Sequence, residues 1–474
     1  MFDYDLIVIG GGSGGLVATR IAAALGGKVA LVDKERLGGD CLHTGCVPSK
    51  TLLHIAKIAQ QVRHGAERGV MAAVPAINMA QVAATIAGVI DRIGTEEQTY
   101  VANVDVRFGH AAFSDPHTLM VDGTPLTSKS FILATGSRPS VPPIAGLAEV
   151  SYFTNEDLFD LAQLPASLVV LGGGPIGCEM AQAFARLGAQ VTLVEMMDRL
   201  LIREETEASQ VIQTALEQDG VQVATGVQVT TVQQTGEMKV ISGHYADGRA
   251  FTTQGAALLV AVGRTPNSEG LALEKAGVAT TSKGIAVDVK MRTNVPHIFA
   301  IGDVVAGGYL FTHVAAAQGG VAGPNALLPS VLMRSMKTDV VPWVTFTDPE
   351  MARVGLTEAE ARQQFGDAVR VQTLPWGHID RAQASGATDG FIKLVLGKKD
   401  RILGAHLVGA HAGEVLGEVT LAMRHGMRVN DIIATIHAYP TLTTGLQQVA
   451  FEAYLTSRSF ASNRGLVKRL LPKR

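Results

Sequence analysis

Two apolar runs, DLIVIG at 5–10 and KVALVD at 28–33, flank a glycine-rich GGGSGG at 10–15 and the segment LVATRIAAALG at 16–26. Short apolar runs bounded by turn residues read as strands buried on both faces, and the longer segment between them reads as a helix. The pattern therefore predicts strand, glycine turn, helix and strand. The same order returns in SLVVLGGGPIGCEMAQAFARLGAQVTLVE at 167–195. From the first glycine to the acid closing the second strand, 10 to 33 and 172 to 195, the spacing is 23 residues in both copies. Later in the chain, VTFTDPEMARVGLTEAEA at 344–361 and FIKLVLG at 391–397 predict strands and a helix of a separate α/β region.

Each repeat has GxGxxG where a βαβ unit turns from its first strand into its helix. Gly10 and Gly172 permit the tight turn, Gly12 and Gly174 let the backbone approach a pyrophosphate, and Gly15 and Gly177 let helix and strand pack closely. The helix N-terminus favours the phosphate charge. Asp33 and Glu195 stand where an acceptor for ribose hydroxyls belongs. Two such units imply two dinucleotides, and two dinucleotides in one chain suggest FAD and NAD(P) arranged for hydride transfer. A carboxylate at Glu195 receives ribose hydroxyls and repels a 2′-phosphate, so NADH is expected over NADPH, although Arg199 and Arg203 can reach a phosphate if their loop folds back.

Composition narrows the setting. A chain of 474 residues exceeds one compact core, and about 150 residues per domain suggests roughly three. A net charge of −3 supplies no broad basic field for nucleic acid or a membrane surface. The most apolar stretch, at 6–19, contains five glycines and ends at Arg20, so no membrane span is expected, and Asp3 argues against a secretory signal. These features point to a cytoplasmic enzyme acting on small molecules. The basic tail RGLVKRLLPKR at 464–474 reads as a solvated end.

Only three cysteines are present, too few for a disulfide scaffold. Cys178 lies in an apolar helical run and reads as a packing residue. Cys41 and Cys46 lie in GGDCLHTGCVPSKTLLHIAKIAQQV at 38–62, where a glycine loop leads into a helix apolar at Leu52, Leu53, Ile55, Ala56 and Ile58. A helix N-terminus there is expected to favour the thiolate and lower its pKa. Zinc is the rival reading, but no second ligand pair stands at finger spacing and His43 is too close to complete a site, so no metal site is expected. Because Cys41 lies eight residues beyond Asp33, the pair is built on the first unit, which is therefore the FAD unit.

The segment GGDCLHTGCVPSK at 38–50 resembles the redox-disulfide motif of the class I pyridine nucleotide-disulfide oxidoreductases, and ATGSRP at 134–139, VGRTPN at 262–267 and FAIGDV at 299–304 match further family signatures in order. The resemblance implies an α/β chain with two Rossmann-type dinucleotide-binding domains and a C-terminal α/β dimerisation domain. The expected boundaries are 1–145 and 270–335 for FAD, 146–269 for NAD(P) and 340–474 for dimerisation. It also implies that Cys46 faces the flavin, that Cys41 is the interchange thiol, and that Lys50 lies near the flavin with Glu179 as partner. Gly39, Thr135, Gly136, Gly263 and Asp303 join the FAD-binding set, with Asp303 receiving a ribityl hydroxyl beside a helix at 312–320.

The resemblance extends to HAYPTLTTG at 437–445, where His437 and Pro440 match an acid-base HxxPT motif of the dimerisation domain. Each active site of a homodimer would then be completed by the other subunit. Seven residues after His437, where dihydrolipoyl dehydrogenases and glutathione reductases place a Glu, this chain has Thr444. With no carboxylate to support His437, dihydrolipoamide oxidation is expected to be slow and Thr444→Glu to raise it. No cysteine follows Cys178, so the C-terminal pair of the usual mercuric reductases is missing. The leading expectation is an FAD-dependent NAD(P)H:disulfide oxidoreductase of dihydrolipoyl dehydrogenase type. The alternatives are a mercuric-reductase-like enzyme, a quinone or metal-ion reductase, and a flavoprotein subunit docked in a lipoyl-carrying complex.

Overall fold

The computed structural model describes residues 1–71 and 73–471. It separates into two compact units, Met1–Pro165 with Ala257–Lys337, and Ala166–Ala256 with Thr338–Arg474. No helix among the described residues is long and apolar enough to cross a membrane.

In the first unit the two apolar runs of the first repeat become neighbouring parallel strands, Tyr4–Ile9 and Val29–Asp33, with Ile7 opposite Ala30. Asp105–Phe108 extends the sheet on one side, while Thr124–Leu133 and then Ile298–Ala300 extend it on the other, all parallel. Leu6, Ile7, Val8, Leu31 and Ile132 are fully buried, as expected of strands covered on both faces. Thr124–Leu133 also closes an antiparallel meander with Thr118–Val121 and Ala111–Asp115. The helix Ser13–Ala24 lies against the helix Thr312–Asn325. Small residues make that possible, because a Cβ on Gly319 would come within 2.3 Å of the Gly14 carbonyl oxygen.

In the second unit the second repeat forms parallel strands in the order Gln222–Ala224, Gln190–Val194, Ser167–Leu171. Its helix, Pro175–Leu187, is buried along most of its length. Cys178 is fully buried there with its thiol near the Gly173 carbonyl at 3.4 Å, and burial pushes its pKa up, which leaves it inert packing. Val227–Thr235, Met238–Tyr245 and Ala250–Gly255 form an antiparallel sheet. A five-stranded antiparallel sheet follows in the order Pro342–Thr345, Glu350–Gly355, Ile402–Gly409, Phe391–Leu396, Arg370–Pro375. Ala412–Arg424 and Thr444–Leu455 contribute Leu416, Val419, Leu446 and Val449 to its core.

The stretches expected as separate NAD(P) and dimerisation domains thus fall largely within one compact unit. The reason lies in side chains that the hydrophobic pattern does not reveal. Arg353, Lys393 and His406 are almost fully enclosed, and the first reaches the Arg203 carbonyl at 2.6 Å. Lys393 meets Glu205, Glu207 and Glu358 at 3.2, 3.2 and 2.9 Å, and His406 meets Glu204 at 3.2 Å. Removing Lys393 would leave the buried Glu205 carboxylate without its cation at a cost of roughly 3–5 kcal/mol. The basic tail is helical within Arg458–Leu470 and exposed over most of residues 464–471, in keeping with a solvated end, while residues 472–474 lie outside the described residues.

Candidate active site

The two glycine turns have the same geometry. Gly10 and Gly172 adopt φ of +108° and +107°, a region that side chains disfavour, and their N–H groups donate to the carbonyls of Val32 and Val194 at 2.7 and 2.8 Å. A Cβ on Gly15 or Gly177 would fall 1.9 or 1.8 Å from the carbonyl oxygen of Gly10 or Gly172. The strand-end acids brace the turns: Gly11 donates to Asp33 Oδ2 at 2.7 Å and Gly173 to Glu195 Oε2 at 2.5 Å. Gly12 and Gly174 begin their helices without a side-chain cap, leaving first-turn N–H groups for an anion. A Cβ on Gly174 would meet nothing within 4 Å, and one on Gly12 only Gly39 Cα at 3.7 Å. Both turns fit a dinucleotide pyrophosphate.

The cysteine loop is seated directly on the first turn. Gly38 donates its N–H to the Gly11 carbonyl at 2.8 Å, and Gly39, at φ +60°, would drive a Cβ to within 2.8 Å of Gly12 Cα. Cys41 then lies in a five-residue helix, Gly39–His43, while Cys46 opens a second, Cys46–Arg63, after Gly45. Neither cysteine is in a disulfide here. Cys46 is exposed, with its sulfur 3.6 Å from the Thr312 hydroxyl at the start of Thr312–Asn325.

For Cys41 the expected lowered pKa is corrected. Its hydrogen bond to the Cys46 sulfur, followed by burial and the charge of Cys46, pushes its pKa well up, so it keeps its proton. Only Cys46 stands at the start of the long helix, because Cys41 lies on a separate short helix where a glycine loop is expected.

Around the pair, the flavin-side residues form one connected set. Thr135 donates its hydroxyl to the Asn267 carbonyl at 2.6 Å, and Asn267 N–H donates to Gly136 at 2.9 Å. The Gly263 carbonyl accepts from Ser140 N–H at 2.9 Å, next to the antiparallel pairing of Ser137–Pro139 with Arg264–Pro266. Asp303 accepts from the Ser137 hydroxyl at 2.7 Å. Burial holds the Asp303 carboxyl above its ordinary range, against the pull of that hydrogen bond and of Arg264. His313 stacks on Phe311 at 5.4 Å. Lys50 lies one turn after Cys46 in the first unit, whereas Glu179 is buried in the second and accepts from Phe346 N–H at 2.9 Å.

The C-terminal motif departs most from expectation. His437 is not short of a carboxylate: its Nε2 lies 2.9 Å from Glu418 Oε1, on the helix Ala412–Arg424, and its Nδ1 lies 2.9 Å from the Thr435 carbonyl. Its side chain is only 4 % exposed. Both ring nitrogens thus have partners within the chain, and the carboxylate that position 444 lacks is supplied by Glu418. Thr444 does not orient the ring, because it donates its hydroxyl to the Thr441 carbonyl at 2.6 Å. Within the motif Tyr439 is 73 % accessible, with its hydroxyl donating to Asp380 at 3.0 Å.

Residues 4–319 match the family described as pyridine nucleotide-disulphide oxidoreductase, and residues 341–450 match its dimerisation domain. The chain belongs to the pyridine nucleotide-disulphide oxidoreductases. Family membership makes it an enzyme that uses FAD and NAD(P)H. It is 36 % identical over 453 residues to a mercuric reductase of Staphylococcus aureus, covering 94 % of this chain and 82 % of that one. It is 38 % identical over 462 residues to a dihydrolipoyl dehydrogenase of Thermus scotoductus, covering 95 % and 97 %. A solved neighbour is the HOCl-induced flavoprotein disulfide reductase RclA of Escherichia coli in its Cu(II) complex, with a TM-score of 0.85 and 28 % identity over 95 % of this chain and 100 % of that one.

For a pyridine nucleotide-disulphide oxidoreductase, the residues that sequence reading missed are Glu418, Tyr439, Asp40 and Arg264. Glu418 precedes His437 by 19 positions on another helix, and no local spacing marks it. Tyr439 sat within the motif already singled out, and its distinguishing signal is exposure beside an enclosed histidine.

Proposed function

We propose that this chain oxidises NADH and passes its electrons, by way of FAD on the first glycine turn, to Cys41 and Cys46, which reduce a small disulfide. The observation that carries this reading is the seating of the cysteine loop on the first turn, with the two thiols in hydrogen-bond contact. Gly10, Gly12, Gly15, Gly39, Thr135, Gly136, Gly263 and Asp303 would hold the FAD, and Gly172, Gly174, Gly177 and Glu195 the nicotinamide dinucleotide. When bound, FAD supplies the step between a two-electron hydride donor and a dithiol. Lys50 and Glu179 keep the charged roles that the resemblance implies.

The chain's own residues handle the protons. Reducing the disulfide adds two electrons and two protons, and Cys41 retains one proton against the Cys46 sulfur. Cys41 must release that proton before its sulfur attacks a substrate disulfide, since the thiolate is the nucleophile. Cys46 is assigned the flavin side because its sulfur faces Thr312, at the start of the helix expected beside the isoalloxazine. The preference for NADH rests on Glu195 and gains support from Arg199, whose guanidinium donates to the Leu201 and Ile202 carbonyls at 3.3 and 2.7 Å. A homodimer with active sites completed across the interface is supported by the exposed apolar side chains Leu421, Ile436, Phe451 and Leu455 around the motif.

A metal-ion acceptor is the second reading, favoured by the exposure of Cys46 together with the mercuric reductases among the relatives. Turnover of NADH with lipoamide, glutathione disulfide and Hg(II) separates the two, using wild type, Cys41→Ser and Cys46→Ser. Loss of disulfide turnover in both variants is expected. Full disulfide turnover in Cys41→Ser would refute the first reading.

A further inference from the structure

We propose that Arg264 and Asp40 form a charge clasp that fixes the Cys41 helix and neutralises the carboxylate beside Cys41, making Arg264 a positioning residue for the thiol pair. The inference rests on the reading of Cys41 and Cys46 as the redox pair. Arg264 is 224 positions from Asp40, yet its Nη2 lies 2.8 Å from Asp40 Oδ2, with the Arg side chain only 12 % exposed. The rest of the guanidinium is fixed as well: Nε donates to the Ser137 hydroxyl at 2.7 Å, Nη2 to the Ser137 carbonyl at 3.0 Å, and Nη1 to Asn155 Oδ1 at 3.3 Å.

Asp40 uses its other oxygen on the same helix. Its Oδ1 accepts from the Thr44 hydroxyl and from Asn155 Nδ2, the latter at 3.3 Å, and Asn155 also donates to the Thr44 carbonyl at 3.0 Å. The residues flanking the Cys41 turn, 40 and 44, are therefore tied through Asn155 and Arg264 to the strand pair carrying Ser137. A planar guanidinium with fixed donors suits this task, where a lysine ammonium would satisfy fewer partners.

Charge matters as much as shape. Arg264 faces two carboxylates, Asp40 at 2.8 Å and Asp303 at 3.8 Å. Without Arg264, the Asp40 carboxylate remains uncompensated beside a thiol that already holds its proton strongly, and ionising Cys41 would add a second negative charge. The other titratable groups on the elements carrying the pair are Cys46, His43, whose Nε2 lies 2.7 Å from the Leu37 carbonyl, Lys50, His54, Lys57 and Arg63, with His313 on the helix that brings Thr312. None of these stands directly between Asp40 and Arg264.

The test is the pH profile of iodoacetamide alkylation at Cys41 in the fully reduced full-length protein, read by mass spectrometry of the Cys41 peptide. Arg264→Gln should move the profile upward by about one pH unit, or roughly tenfold slower alkylation at a given pH on its rising limb. Adding Asp40→Asn to Arg264→Gln should return the profile most of the way to wild type, because both charges are then gone. Arg264→Lys should lie between. A profile for Arg264→Gln that overlays wild type, or a double variant shifted as far as Arg264→Gln alone, would overturn the proposal. Circular dichroism confirms folding, and if Arg264→Gln fails to fold, Arg264→Lys with and without Asp40→Asn decides by the same criterion. Because alkylation needs no turnover, this outcome is distinguishable from failure of the redox-pair reading, which retained disulfide turnover in Cys41→Ser would reveal.

Discussion

Replacing Glu418 tests the finding that the carboxylate missing at position 444 is supplied from another helix. Glu418→Ala removes the 2.9 Å contact to His437 Nε2, leaving a ring nitrogen on a side chain only 4 % exposed without that partner. A hydrogen bond involving a charged group contributes about 1.5–3 kcal/mol, and stranding its buried partner falls at the upper part of that span. About 2 kcal/mol lowers the melting temperature of a unit of this size by roughly 4–8 °C. Glu418→Gln keeps the shape and can still hydrogen-bond the ring, so less than about half of the loss is expected. Calorimetry of the FAD-loaded protein reads the shift. His437→Ala combined with Glu418→Ala should cost little more than either alone, because the two share one interaction. Glu418→Ala melting within about 1 °C of wild type, or a fully additive double variant, would refute the reasoning.

Thr444→Glu, which the sequence alone expects to raise lipoamide turnover, should instead leave that turnover unimproved and lower stability by about 1–3 kcal/mol. It removes the bond to Thr441 and places a carboxylate at a position 9 % exposed, as a melt and a lipoamide assay together would show. Tyr439→Phe should leave the melting temperature within a few degrees of wild type, because it removes only a hydroxyl that donates to Asp380 on an exposed side chain, as a melt would show. The wild-type kcat/KM should favour NADH over NADPH by at least about tenfold, and Glu195→Gln should narrow the ratio. A wild-type preference for NADPH would contradict the Glu195 assignment.

The fold was legible where function is written locally. Each glycine turn, its helix and its closing acid lie within 23 residues, and their steric demands can be read from residue type alone, as Gly15 and Gly177 show. The cysteine pair was legible for the same reason. Its ionisation was not, because the Cys41 proton is held by the Cys46 sulfur on the next helix, a contact that residue type and spacing do not display. Partners joined by tertiary structure were illegible: Arg264 to Asp40, Glu418 to His437, and Lys393 to Glu205 have no common spacing. Thr444 shows the converse error, since the absence of an acid at one position says nothing about an acid that packing brings from elsewhere.

The central claim is that electrons from NADH reach Cys41 and Cys46. The FAD-loaded protein, first oxidised so that the two cysteines are joined, would be titrated anaerobically with NADH, quenched with an alkylating agent and analysed by peptide mass. The account predicts that labelling of Cys41 and Cys46 rises together in proportion to the NADH added, with Cys178 unlabelled under native conditions. Flavin bleaching by NADH while both cysteines stay unlabelled would contradict it.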